Sequence, residues 1–199
     1  MTSDNILSPY NRHTLERFHQ GDILRNIEVV ESVYAQDEEA NRELRLQKKE
    51  LEYAIIITQE CDLEQDIKFR LNQNRKTDDK FIHSILLIPA YPAARVKGGT
   101  HIEKVVMQSF GSDQWNLVKH NRDYRYHYFT GLLDYQVPEL VADFKHYFTI
   151  PRETIYNHYR NVKQYVASLS ELFRENLSIR FAQYLARIGL PEFTEPDQR

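Results

Sequence analysis

Tyr53-Ala54-Ile55-Ile56-Ile57-Thr58 is an unbroken apolar, largely β-branched run of strand length. Alternating apolar and polar residues would mark a half-exposed strand, whereas a continuous run marks one buried on both faces and therefore central. Phe81-Ile82-His83-Ser84-Ile85-Leu86-Leu87-Ile88 is the second such stretch, and Pro89, which has no amide proton to donate, stops it. These two strands are expected to pair. Outward from them, Gly21-Asp22-Ile23-Leu24 reads as a turn feeding an earlier strand that continues through Ile27 to Tyr34. Tyr124 to Thr130, Val141 to Phe144 and Tyr147 to Ile150 give three shorter strands, the last closed by Pro151. Short strands separated by polar loops favour an all-β core over an alternating βαβ sheet.

Between the strands lie three stretches of a different kind. Gln36 to Glu52 is dense in Glu, Lys, Arg and Gln and reads as a solvated hairpin extension or loop. Gln65 to Lys80 is a second polar insertion. After Gly98-Gly99, Thr100-x-x-Glu103 forms a capping box that predicts a short helix carrying Ile102, Val105, Val106 and Phe110, followed by a weaker helix over Asp113 to His120. The clearest helix starts after Ser170, with Phe173, Leu177, Phe181, Tyr184, Leu185 and Ile188 on one face and Gly189 and Pro191 ending it. The expected architecture is mainly β with α: one domain over 1–199, with an N-terminal extension at 1–20 and a small β-barrel at 21–151. Insertions fall at 36–52, 65–80 and 92–123, and a C-terminal helical region occupies 152–199.

Composition narrows the function classes. Apolar residues make up 41% of 199 residues, enough for a folded core, and a net charge of -3 argues against an overall basic field for nucleic acid. Local basic patches remain compatible with that charge. The single cysteine, Cys61, cannot form an intrachain disulfide, and no apolar run approaches bilayer length; a cytoplasmic protein that does not span a membrane is expected.

Thr58-Gln59-Glu60-Cys61-Asp62-Leu63 is the least ordinary local feature, a polar corner just past the central strand. Carboxylates on both sides of Cys61 oppose a thiolate by like-charge repulsion, so Gln59 and Asp62 are better binding candidates than the sulfur. The eight histidines lack zinc-site spacing, and no metal or cofactor is expected. Strand alternation sets Arg125, His127 and Phe129 on one face and Tyr126 and Tyr128 on the other. Arg125 could stabilise a phosphorane and His127 act as general acid or base if the chain cuts RNA. Lys119, Arg122 and Arg125, interleaved with aromatic rings such as Tyr126, form a strip suited to single-stranded RNA.

The order Gly21 to Leu24, a buried strand at Ala54 to Thr58, a second ending Leu87-Ile88-Pro89, and a late strand Phe144 to Ile150 before Pro151-Arg152-Glu153 resembles the PemK/MazF-like toxin fold. That resemblance implies an SH3-like barrel with a terminal helix. The chain is similar, too, to small uncharacterised bacterial proteins marked by G-D-I-L, Q-x-C-D-L, R-x-H, D-F and a closing R-F-x-x-x-x-x-R-I-G-L-P, here Gly21–Leu24, Gln59–Leu63, Arg125–His127, Asp143-Phe144 and Arg180–Pro191. Toxins of this type cut single-stranded RNA with an arginine opening the second long strand and a threonine or serine after the next. Glu52-Tyr53 and Pro89-Ala90-Tyr91 stand at those places here. The resemblance therefore implies a barrel that acts mainly by binding a protein or nucleic-acid partner in a toxin-antitoxin or anti-phage module, as a monomer or homodimer. A metal-independent endoribonuclease is the alternative.

Overall fold

The computed structural model describes residues 8–36 and 42–187. Among the described residues, eight antiparallel strands form one sheet: β1 (Tyr10–Asn11), β2 (Asp22–Gln36), β3 (Arg42–Ile56), β4 (Ser84–Pro92), β5 (Tyr126–Phe129), β6 (Leu140–Asp143), β7 (Phe148–Pro151) and β8 (Tyr165–Leu169). The described residues also form five α-helices: α1 (Glu60–Leu71), α2 (Ala93–Lys97), α3 (Ser112–Lys119), α4 (Arg152–His158) and α5 (Glu171–Leu185). The strand order is β1-β8-β2-β3-β4-β6-β5, with β7 also paired to β4.

The central position of Tyr53 to Ile57 follows from what each face meets. Ile55 and Ile57 pack in the cluster that holds Leu177 and Phe181 of α5, while Ala54 and Ile56 pack with Leu63 of α1 and Ile155 of α4. Full burial of such side chains stabilises the fold by roughly 1.5–3 kcal/mol each. β3 pairs with β4 as expected, Ile55 opposite Ile88 and Ile56 opposite Leu87.

The sheet is open where a closed barrel was expected. β5 ends the strand path, and side chains rather than another strand satisfy its outer edge. Asn121 bonds both the amide and the carbonyl of Tyr128, Asp123 accepts from the Tyr126 amide, and Arg180 donates to the Tyr126 carbonyl. A backbone edge satisfied in this way has no need of a neighbouring strand.

Of the two readings of the charged stretch, hairpin extension or loop, the described part forms the hairpin extension. Residues 42–52 are strand, pairing with β2 as far as Gln36 opposite Arg42. β4 and β8 grip only the base of this pair, so a two-stranded ribbon extends about 30 Å from Ile27 onward. Ile27, Val29 and Leu51 at its base are buried, whereas Val30 to Val33 and Leu44 to Lys48 are exposed, so the polarity there marks exposure rather than lack of structure. Much of the predicted 65–80 insertion is helix α1, whose buried side chains are Leu63 and Asp66. Asp66 accepts from Arg70, Arg152 and the Ile82 amide, so a polar knot replaces the apolar stripe.

The capping-box helix over residues 100–110 does not form. Gly99 adopts φ +71°, Lys104 adopts φ +60°, and the Phe110 amide returns to the Lys97 carbonyl at 2.9 Å, folding the segment back as a loop. The weaker helix is α3. β8 and α4 lie in the region expected to be wholly helical, and residues 10–20 belong to the fold, since β1 pairs with β8 and Phe18 is fully buried against Tyr156. Ser170 precedes α5, whose buried face is Leu177 and Phe181; Ile188, Gly189 and Pro191 lie outside the described residues. Among the described residues, no helix is long and apolar enough to cross a membrane.

Candidate functional site: a histidine and arginine cleft

Gly21 makes the turn that organises the site. Its φ of +88° is readily adopted only by glycine, and a Cβ there would stand 3.0 Å from the Leu169 side chain. Its amide bonds the Ile56 carbonyl and its carbonyl accepts from Leu169, so the turn is pinned between β3 and β8. Asp22 follows and is fully buried. Its carboxylate accepts from the His19 amide at 2.8 Å, from the Ser168 hydroxyl and from His13 Nε2 at 2.9 Å.

His13 also places Nδ1 2.5 Å from the Thr14 carbonyl, so both ring nitrogens face acceptors. Burial by itself lowers the pKa of His13, but the hydrogen bond and charge of Asp22, with the Thr14 carbonyl, outweigh it and the net shift is upward. Both contacts favour the protonated form of the ring, which lies 4.1 Å from the His19 ring and 4.9 Å from that of Tyr165. The Tyr165 hydroxyl lies 3.1 Å from Ser168 Oγ and accepts from the His13 amide.

The second anchor is Glu60, at the start of α1 where the central strand has just ended. Its Oε1 accepts from Arg17 at 2.5 Å and from His19 Nδ1 at 2.9 Å, its Oε2 from the Gln20 amide at 2.8 Å, and Arg174 stands 3.8 Å away. Burial raises its carboxyl, but the bonds from His19, Arg17 and Gln20 prevail and bring it down to about 2. With Nδ1 committed to Glu60, His19 Nε2 has no hydrogen-bond partner among the described residues.

Two cavities meet at Arg12 and His13: one of about 170 Å³ beside His19, Ser168 and Arg174, and one of about 480 Å³ beside Arg25 and Tyr165. Arg12 packs over the Tyr135 ring and has no carboxylate partner among the described residues. Arg12, Arg17 and Arg174 therefore face the carboxylates of Asp22 and Glu60, leaving an excess of positive charge even before His13 is counted, in a protein whose net charge is -3.

A comparable cluster sits elsewhere on the sheet. Asp143, fully buried, takes Arg125 in a bidentate pair at 2.7 and 2.6 Å; His146 Nδ1 lies 3.0 Å away, and His101 Nε2 stands at 3.8 Å, beyond hydrogen-bond length. Burial pushes the Asp143 carboxyl up, but Arg125, His101 and His146 together carry it far below the ordinary carboxylate range. A cavity of about 640 Å³ reaches His146, but its charged lining is mixed, with Glu28 and Glu31 beside Lys49 and Lys145. Lys49 already pairs with Glu31 at 3.5 Å.

The residues singled out in the sequence are dispersed. His127 and Phe129 share one face and Tyr126 and Tyr128 the other, as alternation predicts. Arg125 departs from the pattern. It precedes β5, and Asp143, directly opposite Tyr126, draws its guanidinium to the Tyr126 face, 4.9 Å above that ring. Arg125 and His127 are thus not brought together. His127 is buried against Phe129 and Phe144, and burial, with the Arg180 charge, lowers its pKa to about 3.

Tyr126 is buried, while Lys119 and Arg122 are exposed around the end of α3. Gln59, Cys61 and Asp62 are exposed at the start of α1, the Cys61 sulfur lying 3.7 Å from Gln59 Oε1 and 3.8 Å from Asp62 Oδ1. No hydrogen bond, ion pair or ring contact joins the two groups among the described residues. The corner after the central strand reaches the candidate cleft through Glu60. His13, His19, Asp22 and Arg174 carry no recognisable spacing, and only the acidic Gly21-Asp22 turn hinted at them.

Among the described residues, no three His, Cys, Asp or Glu side chains are arranged to hold a metal ion. No family model matches the chain, and no curated protein matches it.

Proposed function

We propose that this is a cytoplasmic protein that binds single-stranded RNA through the phosphate backbone in the His13 and Arg174 cleft. The observation that carries the reading is the convergence of Arg12, Arg174 and a His13 with both ring nitrogens on acceptors, at adjoining open cavities. Cations beside a concave surface attract phosphate and release counterions from the nucleic acid. The resemblance to PemK/MazF-like toxins would set such a binder in a toxin-antitoxin or anti-phage module.

Anisotropy of a labelled single-stranded RNA, titrated with protein over a salt series, tests this. Binding that weakens with salt, with a log-log slope that falls by about 0.7 for each phosphate contact removed in Arg12→Ala and Arg174→Ala, supports it. Binding indifferent to both substitutions overturns it.

A second reading, cleavage of the bound strand, is favoured by the open Nε2 of His19 beside the same cations. That nitrogen can take the proton of a ribose 2′-hydroxyl as its oxygen attacks phosphorus, while the 5′-oxygen leaves with a proton from solvent. Loss of RNA cleavage in His19→Asn with binding retained would establish it; an RNA left intact by the wild-type protein would sink it.

A further inference from the structure

We infer that the 480 Å³ cavity seats a nucleobase, so that the cleft recognises nucleoside monophosphate units rather than phosphate alone. This deepens the RNA-binding reading and rests on it. The cavity shares Arg12 and His13 with the smaller one, so a ligand whose phosphate lies by Arg174 and His19 has its next moiety directed there. Its volume falls within the roughly 300–1,000 Å³ of small-molecule sites.

The lining suits a flat, polar-edged ring. Leu15, Val162 and Val166 supply apolar wall, and Val162 is 81% exposed, an apolar surface that no neighbour covers. Tyr165 supplies an aromatic ring whose hydroxyl, engaged with Ser168 and the His13 amide, ties the wall of one cavity to the wall of the other. Base stacking on such a ring tolerates any sequence. Arg25 is fixed by its Nε bond to the Lys163 carbonyl at 2.6 Å, which leaves a planar cation at the rim.

Gln136 adds a donor and an acceptor for a base edge, because its side-chain amide has no partner among the described residues. Its backbone is locked at φ 57° by the bond from its amide to the Leu133 carbonyl at 2.9 Å. An aliphatic wall, one ring, one fixed guanidinium and one free amide beside a cationic cleft form the chemistry of a nucleotide seat. An aliphatic peptide side chain would leave both the amide and the guanidinium unused.

The test is calorimetric titration of the full chain with AMP, GMP, CMP and UMP, with ribose 5-phosphate as the probe lacking a base. At least one nucleotide is expected to bind about tenfold or more tighter than ribose 5-phosphate. The nucleotide to ribose 5-phosphate affinity ratio should fall towards one in Leu15→Ala, Val162→Ala and Gln136→Gly combined. The glycine accepts the positive φ and the other two changes lie at the cavity rim, so folding is spared; far-ultraviolet circular dichroism checks it. Equal affinity for nucleotides and ribose 5-phosphate overturns the base seat while leaving the phosphate cleft standing. Absence of binding to every probe overturns both. A tenfold preference that survives the triple substitution also overturns the base seat.

Discussion

Asp143 and Glu60 each gather arginine and histidine around one carboxylate, yet Asp143 is wholly buried while the Glu60 side chain is 25% exposed. At Asp143 the guanidinium is spent in a bidentate pair, and the Tyr91 and Tyr126 rings flank His101. At Glu60 the carboxylate binds only one nitrogen of His19, and the surrounding cations border open cavities. The same residue types thus tie strands together in one place and present chemistry in the other. What separates the two is which atoms remain uncommitted, a property of geometry rather than of composition.

The sharpest way to break the comparison is Asp143→Asn. Stripping a buried charge from its partner should cost about 3–5 kcal/mol in urea unfolding, and Arg125→Met combined with Asp143→Leu should cost less because no cation is stranded. A loss no larger than that of an exposed pair would erase the distinction.

Acid should next separate buried from open histidine. Between the ordinary histidine value near 6.5 and about 3, the unfolded chain takes up a proton that folded His127 refuses. Stability should therefore fall by about 1.4 kcal/mol per pH unit as pH drops through that window, and His127→Leu should flatten the slope.

Glu60→Gln should cost about 1–3 kcal/mol of stability and yet tighten RNA binding, since it removes a negative charge from the cleft. Weakened binding would mean that Glu60 orients the site more than it offsets it. The smallest effect belongs to His13, whose shift runs opposite to that of His127. Its raised pKa gives a contribution fully present below the unfolded value near 6.5 and lost as pH rises through the folded one. The stability difference between wild type and His13→Gln, followed by pH-dependent urea unfolding, should shrink towards alkaline pH.

Sequence reasoning was strongest where burial is written as hydrophobicity. Ile55 and Ile56 announced the central strand and their pairing with β4, and Leu177 and Phe181 announced α5. It failed where polar residues are structural. Asp66 anchors α1 in place of an apolar residue, accepting from Arg70 and Arg152. The site was hidden for a related reason: His13 meets Tyr165 and Asp22 meets Ser168 across 152 and 146 positions of chain, so no local motif could carry them.

That separation also has a consequence in time. During synthesis at roughly 5–20 residues per second, about 7–30 s pass between the making of Asp22 and that of Ser168. Until Tyr165 to Leu169 are made, the Gly21 carbonyl lacks the Leu169 amide that bonds it, and His13 lacks the Tyr165 ring that flanks it. The cleft around His13 and Asp22 is therefore complete only once β8 has been made and laid against β2.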